Sequence, residues 1–268
     1  MSLYEELLRE SKPRIDDFFK NVTLFENQFT FDDFNKECVK KMYDEVSPED
    51  EIKTVKQLKS EISELALMCK KCGPYFVKPR NKSIKALDVQ LGRLLEDLLI
   101  DFFGKKLKLK AVHADNQNKS YPDCMILNTD KGILAYFEVK YHGAPFINAS
   151  NVIKRWCYEG SATLDYKKIT KQLELIESDL DRPTFYLHWI DYPCFKGIYF
   201  ETSEQVKNYI YDNGVEFERA EREGDYIIRK KVGYTEKIYS PLHTMGTFEE
   251  FVEIIRAMKK EGVKPLEY

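Results

Sequence analysis

The chain lacks the short motifs that mark the common nucleotide-dependent and hydrolytic enzymes. No two of its twelve glycines have the spacing of G-x-G-x-x-G or of a phosphate-binding P-loop, and G-x-S-x-G is absent. These absences argue against a nucleotide cofactor, an ATP-driven motor and a serine hydrolase. No stretch approaches eighteen consecutive apolar residues, so the sequence predicts no transmembrane helix.

The amino terminus also lacks the pattern of a secretory signal. Its first twelve residues, MSLYEELLRESK, carry charges from the fifth position onward, which predicts a cytoplasmic protein whose six cysteines are reduced. Cys69 and Cys72 form an isolated C-x-x-C pair, and the lack of further ligands nearby favours structural cysteines over zinc binding. The net charge of −3 does not by itself indicate a nucleic-acid partner.

Helical patterns dominate the first part of the chain, and mixed patterns follow. Residues 1–80 are predicted to form a helical amino-terminal region, with a helix start at Ser47-Pro48-Glu49-Asp50, and residues 81–268 the core with its carboxy-terminal additions. No repeat, low-complexity tract or linker interrupts the sequence, so one compact unit is expected. The later predicted elements are strands at 184–190 and 194–201, a helix at 203–212, short strands within 215–240 and a capped helix at 247–260.

Two short apolar segments, joined by a turn, carry the charged residues with the clearest chemical meaning. Residues 122–127 (PDCMIL) are apolar apart from Asp123, and residues 133–141 (ILAYFEVKY) indicate a second strand. Because side chains alternate along a strand, Glu138 and Lys140 share one face, and the hairpin brings Asp123 within reach of Glu138. Two carboxylates beside a lysine are suited to holding a metal ion at a phosphate undergoing hydrolysis. The alternative is a chance match on a solvated sheet face, which the apolar strands disfavour.

A strongly apolar helix is predicted just before these strands, over residues 84–103. Glu96 falls at the edge of its apolar face, whereas Arg93 and Asp97 point away from that face. Gly92, one turn earlier, would allow a neighbouring strand to approach. A carboxylate at this edge could provide a third acidic ligand or orient a metal-bound water, and a solvated glutamate at the core boundary explains the periodicity equally well.

Basic residues are concentrated on both sides of the hairpin. A lysine-rich run (KKLKLK, residues 105–110) precedes it, and cations interleaved with aromatic residues follow it up to residue 172. Such clusters are suited to contacting a nucleic-acid backbone, although each lysine taken singly is well explained as a solvated side chain. The candidate DNA-contacting residues are Lys108, Lys110, Lys154, Arg155, Lys167, Lys168 and Lys171.

Two of the four histidines, His113 and His142, flank the predicted hairpin. Either could contact phosphate or assist a protonation step, because imidazole titrates near neutral pH. Packing or a surface position is the preferred interpretation for both.

Residues 84–190 resemble the PD-(D/E)xK nuclease superfamily. The resemblance implies an α/β fold in which a central mixed β-sheet is flanked by helices, in the order αβββαβ, with helical amino-terminal additions. The matching parts are Gly92-Arg-Leu-Leu-Glu96, a basic strand at 107–114, Pro122-Asp123, Glu138-Val139-Lys140, a helix containing Gln172, and a strand at 184–190.

The same resemblance implies roles for individual residues. Asp123, Glu138 and Val139 would bind Mg²⁺, which Mn²⁺ could replace. Lys140 would assist the attacking water, and Glu96 would be the helix carboxylate that many members of the superfamily add. Gln172 matches a helical glutamine that some members keep near the site.

These features together predict a magnesium-dependent type II restriction endonuclease, which cuts double-stranded DNA at a specific sequence and leaves a 5′-phosphate. The nuclease-like segment lies within a longer chain without a helicase or ATPase motif, which favours restriction over repair. The resemblance implies a homodimer matching a palindromic site, and restriction implies a companion DNA methyltransferase. Two alternatives are a structure-selective repair or recombination nuclease and a non-catalytic DNA-binding protein.

Overall fold

The computed structural model describes residues 1–20, 60, 67, 85–114, 117–128, 132–143, 161–192, 195–213, 217–225 and 230–261. The α-helices within these ranges are α1 (Leu3–Lys20), α2 (Lys85–Lys105), α3 (Tyr166–Leu175), α4 (Ser203–Asn213) and α5 (Phe248–Glu261). The strands are β1 (Lys110–His113), β2 (Cys124–Leu127), β3 (Ile133–His142), β4 (Ser161–Asp165), β5 (Thr184–Tyr192), β6 (Phe195–Thr202), β7 (Phe217–Asp225), β8 (Lys230–Pro241) and β9 (Gly246–Thr247). A π-helical turn, Ile176–Leu180, extends α3.

A six-stranded sheet forms the centre of the fold, in the order β1-β2-β3-β5-β6-β9. Its neighbours are antiparallel except β3 and β5, which are parallel and are connected through β4 and α3. A parallel pair requires a crossover, because a tight hairpin can join only antiparallel strands. The predicted hairpin and the predicted fold class are confirmed: a mostly antiparallel sheet with one parallel pair, flanked by helices.

The two faces of the central sheet pack against different helices. On one face, Phe137 and Val139 of β3 join a core cluster with α2 and α5, in which the Phe137 ring lies 5.6 Å from that of Phe103. On the other face, Tyr136 and Tyr186 pack with apolar residues of α3, α4 and β8. Because neighbouring residues of a strand face opposite ways, Glu138 and Lys140 project toward the α3 face.

A second, three-stranded sheet, ordered β4-β8-β7, lies on the α3 side. The strands predicted within residues 215–240 correspond to β7 and β8. No strand is predicted for β4, which lies in the basic segment after the hairpin. Its Ala162 and Leu164 are buried, and its last residue, Asp165, caps α3 by accepting a hydrogen bond from the Lys168 amide at 3.2 Å. β4 therefore fixes where α3 begins.

Both ends of the described chain pack onto α2 or its neighbours. Leu7 of α1 is fully buried in the core cluster, and Arg14 donates to Asp101 of α2 at 2.8 Å. At the start of α5, the predicted capping box is confirmed, since the Thr247 amide donates to Glu250 at 2.7 Å and the Glu250 amide donates to the Thr247 hydroxyl at 3.3 Å.

Much of the predicted amino-terminal region, including the helix start at residues 47–50 and the Cys69–Cys72 pair, lies outside the described residues. Among the helices that the structure describes, none combines the length and the apolar character that a membrane span requires.

Candidate active site

Asp123 and Glu138 meet where β2 begins beside the middle of β3. Asp123 immediately precedes β2, and its carboxylate oxygen Oδ2 accepts a hydrogen bond from the Val139 amide at 2.9 Å. Its carbonyl accepts from Ala114, which belongs to the cluster on the α3 face. The next residue, Cys124, pairs with Phe137 on the α2 face, so the alternation of side chains places Asp123 on the same face as Glu138.

Glu138 is a fully buried carboxylate with three donors. Lys140 and Lys168 both donate to its oxygen Oε1, and the Gln172 side chain donates to Oε2 at 3.2 Å. A buried carboxylate without partners would be strongly unfavourable, so these groups are what allows Glu138 to stay ionised inside the protein. The arrangement brings two positive and two negative side chains, counting Asp123, together on one face of the sheet.

The protonation states at this site follow from burial and from these charges. Burial would raise the pKa of Glu138, but the ammonium groups of Lys140 and Lys168 outweigh it and lower the pKa below its usual range. Burial would lower the pKa of Lys140, but the carboxylates of Glu138 and Asp123 outweigh it and raise the pKa. Glu138 is thus an anion and Lys140 a cation at neutral pH.

The pKa of Asp123 is shifted in the opposite direction from that of Glu138. Burial raises the pKa of its carboxyl, and the negative charge of Glu138 raises the pKa further, while Lys140 and Lys168 partly offset both effects. A cation held between two such carboxylates would relieve this repulsion. The hydrogen bond from the Val139 amide is made to one oxygen of Asp123, Oδ2.

The first turns of α3 provide the residues that complete this site. Lys168 and Gln172 are four residues apart, which places them on one side of a helix, and both reach Glu138. The sequence identifies both residues, but it assigns Lys168 to DNA contact and gives Gln172 only as a resemblance. The K-x-x-x-Q spacing, in a helix that follows a basic segment, is the sequence pattern that could have predicted that both residues contact Glu138.

Glu96 belongs to a second cluster, on the α2 face of the sheet. Its oxygen Oε2 lies 3.3 Å from Nδ1 of His113, which is also 3.8 Å from the thiol sulfur of Cys124. The ligand atoms of these three residues all lie within 4.8 Å of one another. Burial raises the pKa of Glu96 to about 7, and the charge of Asp123 adds to that effect. The two clusters are therefore electrostatically connected.

One expectation for α2 is wrong in detail: Gly92 does not mark a close approach, since a Cβ built there meets no described atom within 4 Å. Arg93 and Asp97 lie off the buried face, with side chains 46% and 41% exposed, and they pair with Glu96 at 3.4 Å and with His113 at 2.7 Å. His113 joins the cluster because β1 runs beside the helix face that carries Asp97, a tertiary contact that helical periodicity does not reveal.

The candidate DNA-contacting residues are distributed unevenly around these clusters. Lys168 is directed into the carboxylate site, whereas Lys167 is 82% exposed and Lys171 is also exposed on α3. Lys108 and Lys110 are exposed at the start of β1, and His113 lies three positions beyond Lys110, about 10 Å along the strand. Lys154 and Arg155 lie outside the described residues.

The donor atoms fit the metal predicted for the first site. Mg²⁺ is commonly held in proteins by one or two carboxylates together with water and substrate oxygens. Asp123 offers Oδ1, and Glu138 offers an ionised carboxylate if one ammonium group moves aside. Val139 is the third predicted metal-binding residue. Its observed main-chain contact is the hydrogen bond that its amide donates to Asp123.

A buried polar chain continues along the same sheet face beyond Lys140. His142 and His188 are joined by a 3.0 Å hydrogen bond between their rings, and His188 is joined to Glu201 at 2.8 Å. Burial lowers the pKa of His188 to about 3 and raises the pKa of Glu201 to about 8, so both groups are held neutral. Burial also lowers the pKa of His142, with the charge of His188 adding to the effect.

The fold and the site define a mixed α/β protein with a cluster of carboxylates and lysines on one sheet face. No family model and no curated protein matches the chain. Among solved structures, one that is similar is D212, a nuclease from a fusselovirus, at 12% identity and a TM-score of 0.36, over 64% of this chain and 90% of that one. A similarity this low does not establish a shared activity.

Proposed function

We propose that the chain is a metal-dependent nuclease that hydrolyses phosphodiester bonds of DNA at the Asp123–Glu138–Lys140 site. The observation that carries the proposal is the ionised, buried carboxylate of Glu138, beside Asp123 and held by Lys140 and Lys168. Hydrolysis of a phosphodiester needs a site that accepts a cation and stabilises negative charge on phosphorus-bound oxygens. This site contains groups for both tasks.

Each residue has a role that its environment favours. Asp123 and Glu138 would hold Mg²⁺, which supplies charge neutralisation at the phosphate and a more acidic bound water. Lys140 is held as a cation, so it would orient the attacking water and stabilise the developing negative charge rather than act as a base. Lys168 provides a second cation at the same oxygen, 35% exposed and therefore within reach of a bound phosphate.

The finer proposal is a type II restriction enzyme, which acts as a homodimer on double-stranded DNA, leaves a 5′-phosphate and has a companion methyltransferase. Its support is the organisation of the chain, because sheet β4-β8-β7 and the exposed lysines of α3 add surface beside the core. Reading duplex sequence requires surface that reaches base edges as well as phosphates. A neighbouring methyltransferase gene would add independent support.

A cleavage assay with three kinds of substrate tests the proposal at each level. The purified chain is incubated with supercoiled plasmid, flap DNA and four-way junctions, with Mg²⁺, with Mn²⁺ or with EDTA. Discrete plasmid fragments with 5′-phosphate ends, lost in EDTA and in Lys140→Ala, support restriction. Cutting of flaps or junctions without discrete plasmid fragments supports a structure-selective nuclease. No cleavage of any DNA with either metal overturns the nuclease assignment.

The oligomeric state is tested separately, because it does not depend on the chemistry. Light scattering coupled to gel filtration, with and without a cleavable duplex and with Ca²⁺ in place of Mg²⁺, gives the mass of the free and the bound protein. A mass of two chains supports the homodimer. A single chain in both conditions contradicts it and leaves the nuclease proposal standing.

A further inference from the structure

The cluster on the α2 face has ligand types that differ from those of the carboxylate site. Glu96 comes from α2, His113 from β1 and Cys124 from β2, so three elements bring an oxygen, a nitrogen and a sulfur donor together. Cys124 and Phe137 are paired across β2 and β3 and lie on the α2 face, whereas Asp123 faces α3. Consecutive residues of the chain therefore contribute to two separate sites.

Two of the three separations between these donor atoms are close to those around a tetrahedral zinc ion. Zinc–ligand bonds of about 2.1 Å to nitrogen and oxygen and about 2.3 Å to sulfur place nitrogen and oxygen ligands about 3.4 Å apart, and nitrogen and sulfur about 3.6 Å apart. The separations from His113 Nδ1 are 3.3 Å to Glu96 Oε2 and 3.8 Å to Cys124 Sγ. All three ligand atoms lie within 4.8 Å of one another, so small side-chain movements would place them around one ion.

The orientation of the His113 ring is suited to a metal ligand. Its Nε2 lies 2.7 Å from a carboxylate oxygen of Asp97, and its Nδ1 lies 3.3 Å from Glu96 and 3.8 Å from the sulfur of Cys124. A carboxylate behind a histidine is also the usual partner of metal-binding imidazoles.

We propose that Glu96, His113 and Cys124 bind a zinc-class divalent cation, with Asp97 orienting His113 and a fourth coordination position left open. Thiolate and imidazole ligands favour Zn²⁺ or Co²⁺, whereas Mg²⁺ favours oxygen ligands only. The proposal extends beyond the nuclease function, because it rests on the opposite sheet face and on residues that the phosphate chemistry does not use, apart from Glu96.

Titration of the metal-free full-length protein with Co²⁺ tests the site directly. A thiolate ligand gives a sulfur-to-cobalt charge-transfer absorption in the near ultraviolet, and competition with Zn²⁺ then gives the zinc affinity. We expect one equivalent of metal to bind with this absorption and to raise the melting temperature, since the ligands join three elements. Mg²⁺ at the same concentration should give neither effect.

Substitutions of individual residues test whether the absorption arises from this cluster or from the other cysteines. Cys124→Ser should remove the charge-transfer band, while Cys69→Ser/Cys72→Ser should retain it. Asp97→Asn keeps all three ligands and should weaken metal binding roughly 10- to 100-fold. Circular dichroism of each variant establishes that it is folded, and Asp97→Asn, altered at a partly exposed position, gives a second test if Cys124→Ser does not fold.

The outcomes separate this proposal from the nuclease function. If Asp123→Asn no longer cuts DNA but binds Co²⁺ as tightly as the wild type, the result supports two distinct sites. Zinc binding by a protein that cuts no DNA supports the cation site and overturns the nuclease assignment alone. The cation site is overturned if the folded wild type shows no cobalt–thiolate band. It is also overturned if Cys124→Ser keeps the band and Asp97→Asn binds the metal with full affinity.

Discussion

Lys168 donates to the buried carboxylate of Glu138 from thirty residues further along the chain. The contact joins the first part of α3 to the middle of β3, so the position of the helix is coupled to the protonation and orientation of the carboxylate. Its charge reaches the same oxygen atom as that of Lys140. Glu138 is therefore the point at which the sheet and the crossover helix form one site.

Lys168→Met should lower the rate of DNA cleavage on the order of 100-fold, with little change in the Michaelis constant, because a preorganised positive charge at the reacting phosphate is lost. Lys167→Met is the matched control, since Lys167 is the adjacent residue and is 82% exposed. Single-turnover cleavage of a labelled duplex measures both variants. Equal losses in the two would show that Lys168 acts only through general attraction for DNA.

Asp123→Asn should abolish cleavage while DNA binding is retained or strengthened. The asparagine oxygen can still accept from the Val139 amide, so the fold is kept while a negative charge near the phosphate is removed. Glu96→Gln, at the other cluster, should reduce cleavage less. Gel-shift titrations and cleavage assays at the same protein concentrations give both quantities. Full cleavage by Asp123→Asn would contradict the proposed site.

The buried His188–Glu201 pair predicts how stability depends on pH. Glu201 has a folded pKa of about 8 because of burial, against an ordinary value of about 4.3, so its contribution is fully present below pH 4.3 and is lost as pH rises toward 8. His188 has a folded pKa of about 3 because of burial, against about 6.5, so its contribution grows with pH up to about 6.5. The two effects oppose each other between pH 4.3 and 6.5.

Of these two effects, only that of Glu201 remains between pH 6.5 and 8, and it should lower the free energy of unfolding by about 2 kcal/mol. Glu201→Gln, which resembles the neutral acid, should remove this loss. Urea unfolding of both proteins at pH 6.5 and 8.0 measures the difference between their pH dependences. Identical dependences in wild type and variant would indicate that Glu201 is ionised when folded.

Gly92→Ala should raise the free energy of unfolding by roughly 0.5–1 kcal/mol, because alanine restricts the unfolded chain and favours the helix. Open space surrounds the position of the added Cβ within the described structure. Gly246→Ala is the opposite case, since its Cβ would lie 2.2 Å from a ring carbon of Phe200. Thermal and urea unfolding should therefore give shifts of opposite sign for the two variants. Destabilisation by Gly92→Ala would restore the close-approach interpretation.

Local patterns of the sequence were sufficient for the hairpin and for the order of the core elements. Alternation along residues 133–141 correctly places Glu138 and Lys140 on one face, and the capping box correctly places the start of α5. These features depend on residues close together in the chain, so their physical causes are visible in a short window of sequence.

The contacts that complete both clusters join distant parts of the chain. Lys168 reaches Glu138 only because β4 ends at Asp165 and aims α3 at the sheet, and β4 has no pattern that separates it from a loop. His113 meets Asp97 only because β1 returns along α2. Neither relationship follows from periodicity, since each depends on how two elements pack against each other.

The register of β2 against β3 determines which side chains of β2 face α2 and which face α3. Asp123 and Cys124 are consecutive, so a slip of one residue would turn the hard oxygen donor toward α2 and the soft sulfur donor toward α3. Under the two proposals, the metal preferences of the two faces would then be exchanged without any change in composition. For the two proposed sites, a one-residue shift of this register would therefore act as a chemical substitution at both, because the pairing of β2 with β3 sets which donor each face presents.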